Sequence, residues 1–160
     1  MHAETPLAHL IGEENQTVEA FIALLREEQA LLSSGEAADL DRLPALIARK
    51  DAVAETLNRL AERRNAALTS LGLSPDRNGI EAWLAGRPQD TALHNRWQDT
   101  LRLAAEAREL NRLNGELIAQ RLQHNSRALD ILQSGGRAPD LYGPDGQYSA
   151  LGMRRINDAV

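Results

Sequence analysis

Apolar residues recur along this chain at three- and four-residue spacing, punctuated by short runs rich in glycine, proline and serine. That rhythm predicts helices over about 6–34, 41–71, 79–85 and 91–133. No period-two alternation runs far enough for a strand. In the first helix, Thr5 can cap and Pro6 can occupy the first helical position, where a missing N–H costs nothing. Leu7, Ile11, Val18, Phe21, Leu25 and Leu32 form a near-heptad seam with Glu14 and Glu28 at its intermediate places. Gly35 is expected to close it in the left-handed conformation.

Pro44 is admissible only in a first turn, so the second helix is expected to begin near Asp41. Leu43, Leu46, Ile47, Val53, Leu57, Leu60, Leu68 and Leu71 carry its apolar face. Arg64 interrupts that face, and its stem should lie along it with the charge in water. Glu55 and Arg59 form an i,i+4 pair on the solvated side. After Gly72 and Pro75 comes the short third helix, in which Trp83 should staple the segment to the body with Trp97 as a candidate neighbour.

The last helix is the longest. No proline falls between Pro88 and Pro139, and from Thr91 to Gln133 it would run about 60 Å. Leu103, Leu110, Leu113, Leu117, Ile118, Leu122, Leu129 and Leu132 line one side, and Asn111, Ile118, Asn125 and Leu132 recur every seventh residue. An asparagine on such a seam costs stability and can fix register or partner choice. Gly115 has two readings: close approach of a neighbouring helix, or a weak point where this helix bends or opens for a partner.

Short connections make the first two long helices an antiparallel hairpin, and the last helix packs in its groove. The expected fold is therefore all-α: an elongated antiparallel three-helix bundle over 1–133, one short extra helix, and a flexible C-terminal tail over 134–160. That tail is turn-rich, and its charges cancel. Leu141 and Tyr142 sit in it as apolar anchors that either meet a partner or fold back on the bundle.

Composition narrows the function. Eighteen basic residues against twenty-three acidic ones leave a net charge of −5, which argues against a general nucleic-acid binder. There are no cysteines, so no disulfide framework or thiolate site forms, in keeping with a reducing compartment. No apolar run is long enough to span a bilayer, and the N-terminus lacks the pattern of a secretory signal; the cytoplasm is the expected compartment. The two tryptophans, two tyrosines and one phenylalanine are few for a compact core but enough for a bundle filled by leucine and alanine.

Catalytic chemistry is not expected. The histidines are scattered, and His9 with Glu13 supplies only two neighbouring ligands, too few for a metal site. Asp39 and Asp41 read as helix-start residues, and no phosphate loop or nucleophile motif occurs. No cofactor is implied. What stands out is a helical body joined to a tail with large apolar side chains.

At these residues the chain resembles the FlgN-type flagellar export chaperones. The likeness lies in the order of its parts: Leu31-Leu32-Ser33-Ser34-Gly35, then Leu43 to Lys50, then Asn111-x-x-Asn114-Gly115-x-Leu117-Ile118, and finally Leu141-Tyr142-Gly143-Pro144-Asp145-Gly146. The resemblance implies a cytoplasmic chaperone of flagellar type III secretion that uses no nucleotide itself. Its partners would be hook-associated proteins and the membrane protein of the export gate. Client contacts would map to the late long helix, on Ile118, Leu122, Leu129 and Leu132 with Asn114 and Asn125, and to the tail. Tyr142, beside Leu141, would match the family's gate-docking tyrosine. A different class also fits the residues: a homodimeric coiled-coil adaptor, paired through the same seam, with no export client.

Overall fold

The computed structural model describes residues 5–134. All regular structure among them is helical: α1 (Pro6–Ser34), α2 (Ala37–Leu40), α3 (Leu43–Ser70), α4 (Arg77–Ala85) and α5 (Thr91–Gln133). The chain divides into two compact units, Met1–Leu117 and Ile118–Val160. Leu141 and Tyr142 lie outside the described residues.

In the first unit, α1 is the helix that touches everything. Its Leu7 and Ile11 join Leu68 of α3, Ile80, Trp83 and Leu84 of α4, and Leu93 and Trp97 of α5 in one buried cluster. The short helix is therefore stapled through Trp83, with Trp97 in the same cluster. Further along, Val18, Ile22 and Leu25 pack with Leu103 and Ala107 of α5, and Leu24 and Leu31 pack with Leu46 of α3. Pairing of residue numbers gives the directions. Glu14 meets Arg64 while Glu28 meets Lys50, so α1 and α3 are antiparallel. Asn15 meets Thr100 while Leu25 meets Asn114, so α1 and α5 run parallel.

Helix ends follow from local chemistry. Gly35 (φ 71°) and Gly72 (φ 73°) adopt the left-handed conformation after α1 and α3, a geometry glycine reaches without a Cβ penalty. The expected start of the second helix near Asp41 is replaced by two elements, the single turn α2 and then α3 from Leu43. Pro44 explains the break: it cannot donate to the Leu40 carbonyl, and its ring crowds that oxygen. Thr5 stands at the N-cap of α1 without a side-chain capping bond. Asp76 caps α4 instead, accepting from the Gly79 N–H at 3.1 Å and from the Ser74 hydroxyl at 2.8 Å. Those bonds, the Ser74 one first, hold its carboxyl below the usual carboxylate range.

Two readings of side-chain placement need correction. Arg64 does not keep its charge in water: its side chain is only 16% exposed and bonds to Glu14 at 2.5 Å. Gly115 is not a site of close approach, because a Cβ there would meet nothing within 4 Å. It is an exposed glycine in the interior of α5, with no positive φ to require it. Gly115→Ala should therefore stabilise the chain by about 1 kcal/mol, read as a higher urea midpoint. Gly79→Ala should do the opposite, since its Cβ would fall 1.7 Å from the Ser74 carbonyl oxygen. A destabilising Gly115→Ala would show that this position is held by a constraint other than helix propensity.

Candidate functional site

The packed side of α5 in the first unit is set by residues seven apart, Leu93, Thr100, Ala107 and Asn114, all buried. This seam lies three positions away from the Asn111 register expected from hydrophobicity. The reason is size. Large residues of α1, among them Val18, Ile22 and Leu25, fill the interface beside Leu103, so the seam itself can carry the small Ala107 and the polar Thr100 and Asn114. Asn111 is exposed, and the asparagine of the core is Asn114, 1% exposed.

Asn114 belongs to a buried polar junction of three helices. Its Nδ2 donates to the Leu25 carbonyl and to Glu28 Oε1, each at 2.8 Å. Glu28 is fully buried and accepts from Lys50 Nζ at 2.9 Å. One helix thus supplies the carboxylate, a second the ammonium and a third the amide. A charge this deep is tolerable only because it is paired and hydrogen-bonded.

A second junction sits two heptads, or about four turns, earlier along α1. Glu14, 5% exposed, is paired with Arg64, whose guanidinium carbon lies 5.6 Å from the centre of the Trp97 ring. Burial pushes the Glu14 carboxyl up, and the charge and hydrogen bond of Arg64 pull it back only in part. Asn15, next in sequence, donates to Thr100 at 3.0 Å and Asp99 at 3.2 Å, tying the same level of α1 to α5. These pairings were not legible from spacing, because period alone does not say which cation of α3 faces which glutamate.

In the second unit, residues 118–133 of α5 carry a stripe at three- and four-residue spacing: Ile118, Leu122, Asn125, Leu129 and Leu132. Ile118 is half-buried, and Asn125 is exposed. Leu122 is 61% exposed, Leu129 58% and Leu132 79%; Ile131, at 45%, lies on another side of the helix. Large apolar side chains exposed along one helix make this stretch a candidate contact surface. Asn114 is not one of this group; it is committed to α1. Among the described residues no cluster of metal-ligating side chains occurs, and His9–Glu13 remains an exposed pair at 3.4 Å.

The described residues thus form an all-helical body with buried ion pairs, and a stretch of α5 whose leucines are exposed. Comparison with known proteins gives the family. The family model for FlgN protein matches residues 1–150, and the chain belongs to the FlgN family. It is 32% identical over 144 residues to a flagella synthesis protein FlgN of Yersinia enterocolitica, covering 89% of each chain. The protein of that name in Proteus mirabilis is 32% identical over 142 residues, covering 83% of this chain and 84% of the relative. That of Salmonella typhimurium is 31% identical over 93 residues, 58% of this chain and 65% of the relative. No solved structure matches.

Two outcomes test the junctions. Lys50→Met strands the Glu28 carboxylate and should cost about 3 kcal/mol, whereas the double variant Glu28→Leu/Lys50→Met should recover most of that loss. Equal losses in the single and double variants, measured by urea unfolding, would mean the pair does not act as a unit. For Glu14 the sign runs the other way from an ordinary salt-bridged carboxylate. Folding raises its pKa, so its contribution is most favourable in acid and declines as pH rises through the raised folded value. The stability of the natural chain relative to Glu14→Gln should therefore fall as pH rises above the unfolded carboxylate value of about 4.3; an increase there would contradict the assignment.

Proposed function

We propose that this chain is a cytoplasmic export chaperone for flagellar hook-associated proteins. It binds such a client before export, keeps it from assembling prematurely, and delivers it to the export-gate membrane protein. The observation that carries this reading is the exposed stripe on α5 in a member of the FlgN family. The relatives' name, flagella synthesis protein, supports the flagellar setting. Among the described residues no helix is long and apolar enough to cross a membrane, so contact with the gate would be made protein to protein.

Ile118, Leu122, Asn125, Leu129 and Leu132 receive the client. A helix of the client lays its own apolar face on them, the helix-to-helix mode in which anchors repeat every three or four residues. Masking that face is also what prevents assembly, since the same apolar residues would otherwise pair with the next subunit. Asn114 contributes by holding α5 on α1 rather than by touching the client. Leu141 and Tyr142 dock on the gate, a ring and an aliphatic side chain being suitable anchors for a small hot spot.

A second reading keeps the same stripe and changes its occupant. A homodimer paired through Leu122, Leu129 and Leu132 would cover them equally well, and light scattering would then show mass rising with concentration.

Leu122→Asp decides between client binding and no client binding. Placing a carboxylate where a leucine is buried on binding should weaken copurification of a hook-associated protein roughly thirtyfold, from a loss of about 2 kcal/mol. The helix content of the free chain should not change, because Leu122 is already exposed. Full retention of the client by the variant would refute this surface.

A further inference from the structure

Within the first unit, α3 and α5 are separated by a groove floored by α1. Leu57 and Ala61 of α3 form one wall, Leu101 and Ala104 of α5 the other, and Val18 and Phe21 the floor. The groove encloses about 610 Å³. On the α5 side its lining runs through Trp97, Leu101, Ala104, Arg108 and Asn111, the three-and-four spacing of a single helix face. That wall is about 21 Å long, or about four turns. Two helical ridges over a helical floor make the seat that an additional helix takes in a bundle.

The charge of the lining is opposite to that of the chain. Three arginines, Arg64, Arg77 and Arg108, face it with one glutamate, Glu14, in a protein of net charge −5. Glu14 takes up Arg64, and Arg77 shares its charge with Glu81 at 2.7 Å. Arg108 makes no ion pair among the described residues. Arg77 enters from the α4 end, beside the cluster that holds Trp97, and Arg108 lies three turns further along α5. An apolar trough with a cation toward each end matches an apolar stripe with a carboxylate toward each end.

We propose that the α3–α5 groove docks an acidic amphipathic helix of about four turns, supplied by a partner protein. Its apolar stripe rests on Phe21, Leu57 and Leu101, and its carboxylates pair with Arg77 and Arg108. This surface is distinct from the Leu122 stripe, and the proposal stands whether or not that stripe binds a hook-associated protein.

Trp97 lines the groove and reports on it. The full chain, isotope-labelled, is titrated with a helix-stabilised synthetic peptide of about four turns, with leucines at three-and-four spacing and glutamates at both ends. A control peptide carries lysines in place of the glutamates. The indole N–H signal of Trp97, assigned with Trp97→Phe, should move saturably with the acidic peptide, which should bind at least roughly tenfold tighter than the control. Arg108→Glu should weaken it about fivefold, and Ala104→Trp, which fills the groove, at least roughly tenfold. Leu122→Asp should leave it unchanged. If Ala104→Trp perturbs the fold by circular dichroism, the exposed Arg108→Glu decides by itself. Equal binding of the two peptides, or undiminished binding by Arg108→Glu, would overturn the proposal. So would a Trp97 signal that moves with chain concentration alone, which would give the groove to a second copy.

Discussion

The contact on which the first unit depends is the carboxylate of Glu28. It is fully buried, and it is stable there because Lys50 from α3 neutralises it and Asn114 from α5 donates to it. A sliding α1 would leave that charge unpaired in an apolar interior, at a cost comparable to much of a domain's net stability. Hydrophobic contacts alone would tolerate such a slide more readily, since apolar residues recur at three- and four-residue spacing along α1, α3 and α5. The Glu14–Arg64 pair sets the same register at a second point. Two ionic braces along one helix therefore specify what apolar burial only favours.

Much of this was legible in the sequence. The α1 heptad placed Glu14 and Glu28 on the apolar seam, and both are buried. The extent of α5 follows from helix chemistry that needs no tertiary information, whereas the separate turn α2 before α3 does not appear in the apolar pattern. What periodicity could not supply was the pairing across helices. Nothing in the pattern around Arg64 marks it as buried, because its partner Glu14 is fifty residues away in sequence. The core seam of α5 was displaced by three positions because Thr100, Ala107 and Asn114 are small or polar, whereas Leu110, Leu113 and Leu117 look more like core and are only half-buried. Large residues on α1 set that choice, and a single helix's pattern does not contain it.

The braced body and the open stripe also make different demands on sequence. Up to Asn114, α5 gives its packed face to α1; from Leu122 onward its leucines are exposed. An apolar surface kept bare in a free protein is costly in solubility and is retained where a partner covers it. Gly115 falls between the two stretches, without a steric reason to be glycine.

Hydrogen exchange across the full chain, with and without a hook-associated protein, tests the account most directly. The braced amides of α1 around Leu25 and Glu28 should be protected in the free chain and unchanged by the client, while residues 118–133 should exchange readily when free and gain protection on binding. Protection gained only in the body, with 118–133 unaffected, would contradict the assignment of the late α5 face as the client surface.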